Sequence, residues 1–441
     1  MSQLNARIKY CGITYACVFL LLLYYYKVTF TKPGTGQKSG FQLALNESLR
    51  SVDNTINFIG IPEDKTARYT YAQTVMHGRL RTIRDVCAKH IGDDLWEQLK
   101  PTGQVWSSVK HDIHYCSAPK IGCTQWKKVM RFIVGDYDKS LNISNPGDIN
   151  RQYVHYAKLK HVRRVGLKSA MVRGEMSKGQ SFMFTREPYS RLWSAYIDKF
   201  ILPDFWRSEA HAVINNIRPN ATQRQKRCAN DITFLEFLQY IVKSSPRDLN
   251  EHWQPVYRLC NPCLVAYSVI GKLETFGNDS QLILHKFGLE NLINISESKS
   301  RRAVEEVTNL VKYNFDLKHS IHKDCFDIED IAMRLWTSFQ YNGHIHRSID
   351  IPIQNMKSDG LAQHPTKIFL KHVLWALQYQ HVHKFDIGNQ RRDIMLNSFR
   401  IIPKELVDSL QEVYKFDFEL FGYDKNILKD VIFNNSANIN A

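Results

Sequence analysis

Two short segments of this 441-residue chain decide how it is interpreted: YCSAPKIGCTQW at residues 115–126 and TREPYSRLWSAY at residues 185–196. Each segment has the pattern of a strand that ends in a tight turn and continues as a helix. Each turn also carries cations and hydroxyl groups. Because the free N–H groups at a helix start attract anions, the pair predicts a site for one ligand with two separate phosphate ends.

The first segment offers several groups to an anion. Gly122 allows the backbone to pass close to a bound group, and Lys120 adds a mobile positive charge. Gly122, Cys123 and Thr124 offer backbone N–H groups, and the Thr124 hydroxyl is a further donor. The segment is like a phosphate-binding P-loop but lacks the G-x-x-x-x-G-K-S/T pattern. Taken alone, it fits an ordinary strand-to-helix turn with a capping Thr124 equally well.

The second segment adds a guanidinium group. Arg186 follows a strand, where its planar side chain can hold a phosphate through two hydrogen bonds. Ser190 and Ser194 share one helix face, and Ser194 is placed to reach the same phosphate as Arg186. A carboxylate would repel a phosphate, so Glu187 is expected to serve as a charge at the helix start or to pair with Arg191.

The wider pattern predicts an α/β fold with a central parallel sheet. Short apolar strands are expected at residues 113–117 and 181–185, each followed by a phosphate-binding turn and a helix. Pro188 suits the first turn of the second of these helices. Helical spacing of apolar residues predicts further helices at residues 76–96 and 406–423.

Composition limits the class of protein. Hydrophobic residues make up 44% of the chain, enough for one large domain or two ordinary ones. The net charge of +16, from 59 Lys and Arg against 43 Asp and Glu, favours an anionic partner but does not choose among nucleic acid, lipid, nucleotide and polysaccharide. Basic clusters at residues 158–164 and 224–227 are either walls of a groove for an acidic polysaccharide or solvated basic faces.

The N-terminus predicts a membrane anchor. Residues 10–26 are uncharged and mostly apolar, and as a helix they would span roughly 25 Å. Because no cleavage site follows, an uncleaved signal anchor is favoured over a removed signal peptide, and a buried core helix is the alternative. The predicted organisation is a cytoplasmic tail at 1–9, the anchor at 10–26, a luminal stem at 27–75, a catalytic domain at 76–430 and a tail at 431–441.

Two further features fit a luminal location. Six N-glycosylation sequons follow the apolar stretch, at Asn46, Asn142, Asn220, Asn278, Asn294 and Asn434. Seven of the nine cysteines also lie beyond it, and an oxidising lumen would allow disulfides among them. Cys260 and Cys263 form a C-x-x-C pair, for which disulfides are expected and a zinc site is the alternative.

The motifs resemble those of a known family. PKIGCTQW and REPYSRLWSAYIDKF are similar to the 5'-phosphosulfate and 3'-phosphate motifs of Golgi carbohydrate sulfotransferases (sulfotransferase family 2). The resemblance is to the 4-O-sulfating branch that acts on chondroitin, dermatan and terminal N-acetylgalactosamine or glucuronate. It extends to NEHWQP at residues 250–255 and to DFELFGY near the C-terminus. Residues 300–400 depart from the family pattern, being longer and rich in histidine.

The resemblance implies a donor and the residues that hold it. The donor would be 3'-phosphoadenosine 5'-phosphosulfate (PAPS), bound on an α/β domain related to nucleotide kinases, with no metal. The 5'-phosphosulfate would be held by Pro119, Lys120, Ile121, Gly122, Cys123, Thr124 and Gln125. The 3'-phosphate would be held by Arg186 and Ser194 within the segment Arg186, Glu187, Pro188, Tyr189, Ser190, Arg191, Leu192, Trp193 and Ser194.

The implied reaction assigns two catalytic residues. Lys120 would stabilise the charge that develops on the leaving oxygen, and His252 would take the proton of the attacking sugar hydroxyl. Glu251 is the second candidate base, and a structural His252 packed beside Trp253 is the alternative. The expected partner is an acidic or N-acetylgalactosamine-containing glycan, met in the Golgi lumen by a single-pass type II membrane protein.

Two rival functions are compatible with parts of the sequence. One is a membrane-anchored glycosaminoglycan-binding protein on the same fold that has lost activity; the presence of Lys120, Arg186, Ser194 and His252 disfavours it. The other is a P-loop nucleotide kinase, which the missing lysine pattern disfavours.

Overall fold

The structure is a computed structural model that describes residues 65–90, 101–178, 180–293 and 299–428. The predicted anchor lies outside these ranges, as do three of the sequons. Within them no helix is long and apolar enough to cross a membrane. The other three sequon residues, Asn142, Asn220 and Asn278, are exposed.

A five-stranded sheet forms the centre of the fold. Its strands are β1 (Gln104–Ser108), β2 (Ile113–Ser117), β3 (Arg163–Gly166), β4 (Gln180–Thr185) and β5 (Val269–Lys272). Their order across the sheet is β3-β1-β2-β4-β5. The strands predicted at 113–117 and 181–185 are thereby confirmed.

The sheet is mixed, so the prediction of a parallel sheet was wrong in part. β2, β4 and β5 run parallel, but β1 is antiparallel to both of its neighbours, β2 and β3. The cause is the connection between β1 and β2, a turn in which Asp112 N–H donates to the carbonyl of Val109 over 3.3 Å. So short a turn can join only antiparallel strands, because a parallel pair needs a long crossover.

Eighteen α-helices occur in the described ranges. They are α1 (Lys65–Lys89), α2 (Cys123–Ile133), α3 (Arg151–Tyr156), α4 (Leu167–Val172), α5 (Glu175–Lys178), α6 (Pro188–Tyr196), α7 (Glu209–Ile217), α8 (Gln223–Cys228), α9 (Phe234–Lys243), α10 (Val256–Cys260), α11 (Phe276–Lys286), α12 (Lys299–Asp316), α13 (Ile328–Tyr341), α14 (Ile353–Ser358), α15 (Pro365–Val382), α16 (Gln390–Phe399), α17 (Lys404–Val413) and α18 (Lys415–Phe421).

Two helix boundaries differ from the predictions. α1 begins at Lys65 rather than at residue 76. The C-terminal helix predicted at 406–423 is broken at Tyr414 into α17 and α18. The break buries Tyr414, whose hydroxyl donates to the carbonyl of Trp253. A tertiary contact thus interrupts a continuous helical pattern.

Aromatic packing fixes α2 on the sheet. Trp126 of α2 is buried against Phe182 of β4, with ring centroids 4.5 Å apart, and Phe182 stacks on Tyr115 of β2 at 4.8 Å. This packing holds the start of α2 at the end of β2.

Three disulfides cross-link the described chain. They join Cys87 to Cys263, Cys116 to Cys260 and Cys228 to Cys325, while Cys123 is a free, buried thiol. The predicted disulfides are confirmed. Cys260 and Cys263 belong to different disulfides, so neither offers a thiolate to zinc.

Candidate functional site

The site lies where three parallel strands end. β2, β4 and β5 terminate at the same edge of the sheet, as their pairings of Cys116 with Met183 and of Thr185 with Lys272 require. The first predicted loop follows β2 and the second follows β4. In α/β sheets, this carboxyl edge is where ligands bind.

The first loop has a backbone shape suited to an anion. Lys120 and Gly122 both have positive φ, at 66° and 71°. A side chain on Gly122 would also lie 2.8 Å from the Phe276 ring, so only glycine fits there. Gly122 is the N-cap residue of α2 and supplies no side-chain hydrogen bond, which leaves the first N–H groups of the helix to a ligand.

The alternative of an ordinary turn predicted that Thr124 would cap this helix. That prediction was wrong, because the helix has no side-chain cap. The Thr124 hydroxyl instead forms a 3.1 Å hydrogen bond with Nε2 of His155 in α3. Burial and the nearby charge of Lys127 lower the pKa of His155 to about 3, so its imidazole is neutral. Thr124 is therefore held toward α3, one residue into the helix.

Arg186 joins the two loops directly. Its Nε donates to the Ser190 hydroxyl over 2.9 Å, and Nη1 donates to the backbone carbonyl of Lys120 over 2.9 Å. The residue as a whole is 4% exposed. Its Nη2 makes no hydrogen bond within the described residues, so it can still donate to a ligand. Arg186 therefore links the two predicted loops to each other.

Glu187 caps α6. Its carboxylate accepts hydrogen bonds from the backbone N–H groups of Tyr189, at 2.9 Å, and Ser190, at 2.6 Å. Of the two roles expected for Glu187, the helix-start role is therefore the one observed. Burial raises the pKa of Glu187 to about 7, against the effect of these N–H groups. A carboxyl this easily protonated repels a neighbouring anion less than an ordinary carboxylate does.

Arg191 ties three sequence blocks together. Its guanidinium donates to the backbone carbonyls of Pro119, Glu251 and Gln254 at 3.2, 2.9 and 2.6 Å. The side chain is 1% exposed. Arg191 therefore positions the first loop and the segment that carries His252 relative to α6.

Several other predicted residues contribute to packing. Ile121, Tyr189, Leu192 and Trp193 are 0–3% exposed and belong to hydrophobic core clusters. Pro119 and Pro188 are also buried, and Ser194 is 7% exposed. Gln125 and Ser190 are partly exposed at the site. The motif thus mixes scaffold side chains with those able to touch a ligand.

Lys120 is engaged by a carboxylate that the sequence interpretation missed. Its ammonium lies 2.8 Å from Oδ2 of Asp198, which also pairs with Lys199 at 3.3 Å. Burial raises the pKa of Asp198, but Lys120 and Lys199 outweigh it and hold the pKa well below its usual range. The signal was available, because Asp198 follows Ser190 and Ser194 at four-residue spacing.

His252 is held in one tautomer. Asn250 Nδ2 donates to Oε1 of Glu209 over 3.0 Å, and the backbone N–H of His252 donates to Asn250 Oδ1 over 3.1 Å. These two bonds fix the amide orientation, so Oδ1 must accept from Nδ1 of His252, which lies 2.7 Å away. The proton is then on Nδ1, and the lone pair is on Nε2.

Electrostatics keep this imidazole neutral. Burial, together with the charges of Lys199 and Lys120, lowers the pKa of His252 well below its usual value. Its ring also packs edge-on against Phe205, with centroids 5.2 Å apart. Glu251, the second candidate base, is exposed. A neutral, oriented imidazole with a free Nε2 is the better-placed proton acceptor.

Comparison with known proteins agrees with this geometry. The family described as "Sulfotransferase family" matches residues 104–332, more than half of the chain. The chain belongs to the sulfotransferase family. The family and the enzyme class predicted from the sequence are thereby confirmed.

Individual relatives of this sulfotransferase are carbohydrate sulfotransferases. Over 242 residues it is 32% identical to carbohydrate sulfotransferase 14 of Danio rerio, covering 53% of this chain and 64% of that protein. Over 292 residues it is 28% identical to carbohydrate sulfotransferase 11 of Rattus norvegicus, covering 64% and 77%. Over 211 residues it is 35% identical to carbohydrate sulfotransferase 12 of Xenopus laevis, covering 44% and 50%. No solved structure matches the chain.

The divergent part of the sulfotransferase adds charged groups that the motifs did not predict. Glu306 of α12 lies 3.7 Å from Nε2 of His344, and its side chain is 59% exposed. A side chain on Gly343 would come within 3.7 Å of Arg391 in α16. The side chains of His344 and Arg391 lower the pKa of Glu306.

Arg391 connects this group to Arg186 in the second predicted loop. Burial lowers the pKa of Arg186, and the positive charge of Arg391 lowers it further. α16 packs against α6, where the ring of Phe399 meets Tyr189 at 5.4 Å. Within the described residues no group of three or more His, Cys, Asp or Glu side chains is arranged to hold a metal ion.

Proposed function

We propose that this protein transfers a sulfuryl group from PAPS to a hydroxyl group of a glycan. The observation that carries the proposal is the link made by Arg186 between the second loop and the carbonyl of Lys120 in the first. This link brings two anion-binding turns to one edge of the sheet. A donor with a phosphosulfate at one end and a 3'-phosphate at the other matches such a pair.

Each end of the donor has suitable partners. The N–H groups after Gly122 and the ammonium of Lys120 would receive the 5'-phosphosulfate. Nη2 of Arg186 and the hydroxyl of Ser194 would receive the 3'-phosphate. Arg391 adds a second positive charge on the side of Arg186.

The chemistry requires one proton acceptor and one cation. A bond forms between the acceptor hydroxyl oxygen and sulfur, and the bond from sulfur to the 5'-phosphate oxygen breaks. Nε2 of His252 takes the hydroxyl proton, and the phosphate leaves with the bonding electron pair. Lys120 stabilises the charge on that phosphate, and Asp198 holds the ammonium in place beforehand.

The acceptor class follows from the relatives and from the charge of the chain. The relatives are named carbohydrate sulfotransferases, and the net charge of +16 favours an acidic glycan. Chondroitin, dermatan and glycans that end in N-acetylgalactosamine or glucuronate are the proposed acceptors.

We propose a Golgi membrane location with the catalytic domain in the lumen. The apolar stretch at 10–26 and the three disulfides support it, because disulfides form in the oxidising secretory pathway. Removal of N-linked glycans from the cell-expressed full chain should lower its mass. An unchanged mass, with the protein recovered in the cytosol, contradicts this location.

The decisive assay uses the full chain, labelled PAPS and a panel of defined desulfated glycans, with the product hydroxyl mapped. We expect label in chondroitin- or dermatan-type acceptors. Lys120→Ala should lower kcat about 100-fold or more. Lys120→Arg, which has the same backbone constraint, should retain part of the kcat that the alanine variant loses. Binding of the panel glycans without any transfer would instead support the inactive glycosaminoglycan-binding alternative.

A further inference from the structure

One cation beside the first loop has no partner. Arg151, the first residue of α3, is partly exposed. Its guanidinium makes no hydrogen bond and no ion pair with any residue in the described ranges. A guanidinium carries five N–H donors, and partial burial removes water from some of them. An unpaired arginine in this setting is matched to an anion that comes from outside the chain.

α3 is fixed against the first loop. His155 of this helix bonds to the Thr124 hydroxyl, and Nη2 of Arg131 in α2 donates to the carbonyl of Ala157 over 2.7 Å. Arg151 precedes His155 by four residues, so the two share one helix face and lie one turn, about 6 Å, apart. Arg151 is therefore on the side of α3 that faces the first loop.

The charges around Arg151 place it beside the predicted catalytic groups. Burial lowers the pKa of Arg151, but three carboxylates outweigh burial and raise that pKa: those of Asp198, Glu306 and Asp204. Asp198 is also the partner of Lys120. Arg151 is therefore close to the proposed centre of sulfuryl transfer, although it belongs to neither predicted loop.

Each of these carboxylates has closer partners than Arg151. Asp198 pairs with Lys120 and Lys199, Asp204 pairs with Lys199 and accepts from the Tyr313 hydroxyl, and Glu306 pairs with His344. Arg391 also acts on Glu306. Four cations therefore face three carboxylates: Lys120, Lys199, Arg151 and Arg391. The surplus positive charge leaves Arg151 available to a further anion.

Arg151 is better placed for the acceptor than for the donor. The two ends of the donor are matched by Lys120 at the first loop and by Arg186 at the second, whereas Arg151 lies on α3, outside both loops. The proposed donor and acceptor are both anionic, and like charges at short range repel each other. A carboxylate of the acceptor therefore gains most from a cation that the donor does not use.

An exposed ring accompanies this guanidinium. Tyr156, the last residue of α3, is 72% exposed. Its hydroxyl contributes to the raised pKa of Tyr313, after burial and Asp204, so it lies near a carboxylate that also acts on Arg151. A phenol ring presents an apolar face and a polar edge, which suits a sugar. The surface beside Arg151 thus fits a carboxylated sugar better than a free inorganic anion.

We propose that Arg151 binds the carboxylate of the uronate that adjoins the sugar being sulfated. This inference rests on the proposed function. A planar guanidinium can donate two hydrogen bonds to one carboxylate. Arg151 lies one helical turn from His155, which contacts the first loop, so its ligand is the neighbour of the reacting sugar rather than that sugar itself. Arg151 would then make the enzyme prefer uronate-containing chains.

The test gives the full chain desulfated chondroitin and its carboxyl-reduced form, in which glucose replaces glucuronate. The wild-type KM should be about 10- to 100-fold lower for the uronate polymer, the value of one charge-assisted contact. Arg151→Gln should lose most of that preference, while its affinity for PAPS stays that of the wild type. Arg151→Lys should keep part of the preference, because it keeps the charge. Arg81→Gln, at an exposed arginine of α1, is the matched control.

Direct binding separates this inference from the proposed function. If the wild type binds the uronate polymer more tightly than the reduced one, and Arg151→Gln loses that difference, the inference stands even when no sulfate is transferred. If the wild type sulfates both polymers with equal KM, the inference is overturned and the enzyme assignment stands. Weaker PAPS binding by Arg151→Gln with the uronate preference intact would assign the guanidinium to the donor and overturn the inference. Binding of neither polymer would overturn it as well.

Discussion

At the scale of single residues, the proposed role of His252 as the base depends on its neighbours. Asn250 holds the proton on Nδ1, and burial with Lys199 keeps the ring neutral. The motif block that contains His252 was predicted to supply the base. The tautomer could not be predicted, because it depends on Glu209, which lies far away in sequence and fixes the amide of Asn250.

Asn250→Ala should lower kcat about 10- to 100-fold with little change in KM, because the imidazole loses the acceptor that fixes its tautomer. His252→Ala should lower kcat further. Steady-state kinetics on polymer acceptor would measure both, with the exposed His77→Ala as control. An Asn250→Ala enzyme with wild-type kcat would show that the tautomer needs no such support.

The pH profile follows from the same pKa shift. The folded pKa of His252 lies below its usual value, so the ring is a competent base above that pKa and loses activity only as the pH falls through it. The acid limb of kcat/KM, which reports the free enzyme, should therefore lie well below pH 6.5. An acid limb at or above pH 6.5 would be inconsistent with the environment described for His252.

At the scale of elements, the strand-turn-helix units were predictable and the hairpin was not. β2, β4, α2 and α6 have clear apolar patterns next to distinctive turns. β1 has the sequence QVWSS, which carries little periodicity, and it pairs with β2 and β3 only in the folded chain. The antiparallel strand inside the sheet therefore had no local signal.

The DFELFGY block near the C-terminus resembles the C-terminal motif of the family. The structure shows what this block does. Asp417 of α18 is buried and accepts from the N–H groups of Val256 and Tyr257, at 2.7 and 2.8 Å, at the start of α10. α18 also packs on α1. One carboxylate thus secures the helix that follows the His252 segment.

Asp417→Ala should lower the free energy of unfolding by about 2–4 kcal/mol, because it leaves two buried N–H groups without an acceptor. Burial raises the pKa of Asp417 to about 6, so a neutral side chain is tolerated there, and Asp417→Asn should cost less. Chemical denaturation would measure both, with the exposed Glu412→Ala as control. An Ala variant as stable as the wild type would show that water or another group satisfies the two donors.

At the scale of the whole molecule, residues 300–400 place the charge of Arg391 near Arg186 of the candidate site. The segment is helical, and its longer helices include α13 and α15. Arg391 and Glu306 could not be assigned, because their neighbours come from elements distant in sequence. The segment also has its own hydrophobic core cluster, which includes Trp336 and Phe369.

The disulfide between Cys228 and Cys325 fastens this segment to α8. Cys228→Ser/Cys325→Ser should lower the free energy of unfolding by about 2–4 kcal/mol, since the unfolded chain gains freedom. Limited proteolysis should cut first near residues 318–327. The single variant Cys228→Ser should behave like the double, because each breaks the same bond. Unfolding at the wild-type temperature would mean that packing alone holds the segment.

The central claim is that two loops hold one ligand through both of its ends. The most direct test measures the affinity of the full chain for PAPS and for adenosine 5'-phosphosulfate, which lacks the 3'-phosphate. The wild type should prefer PAPS by about 10- to 100-fold, the value of one charge-assisted contact. Arg186→Ala should lose most of that preference, with folding checked by thermal unfolding. Equal affinity of the wild type for both ligands would contradict the account.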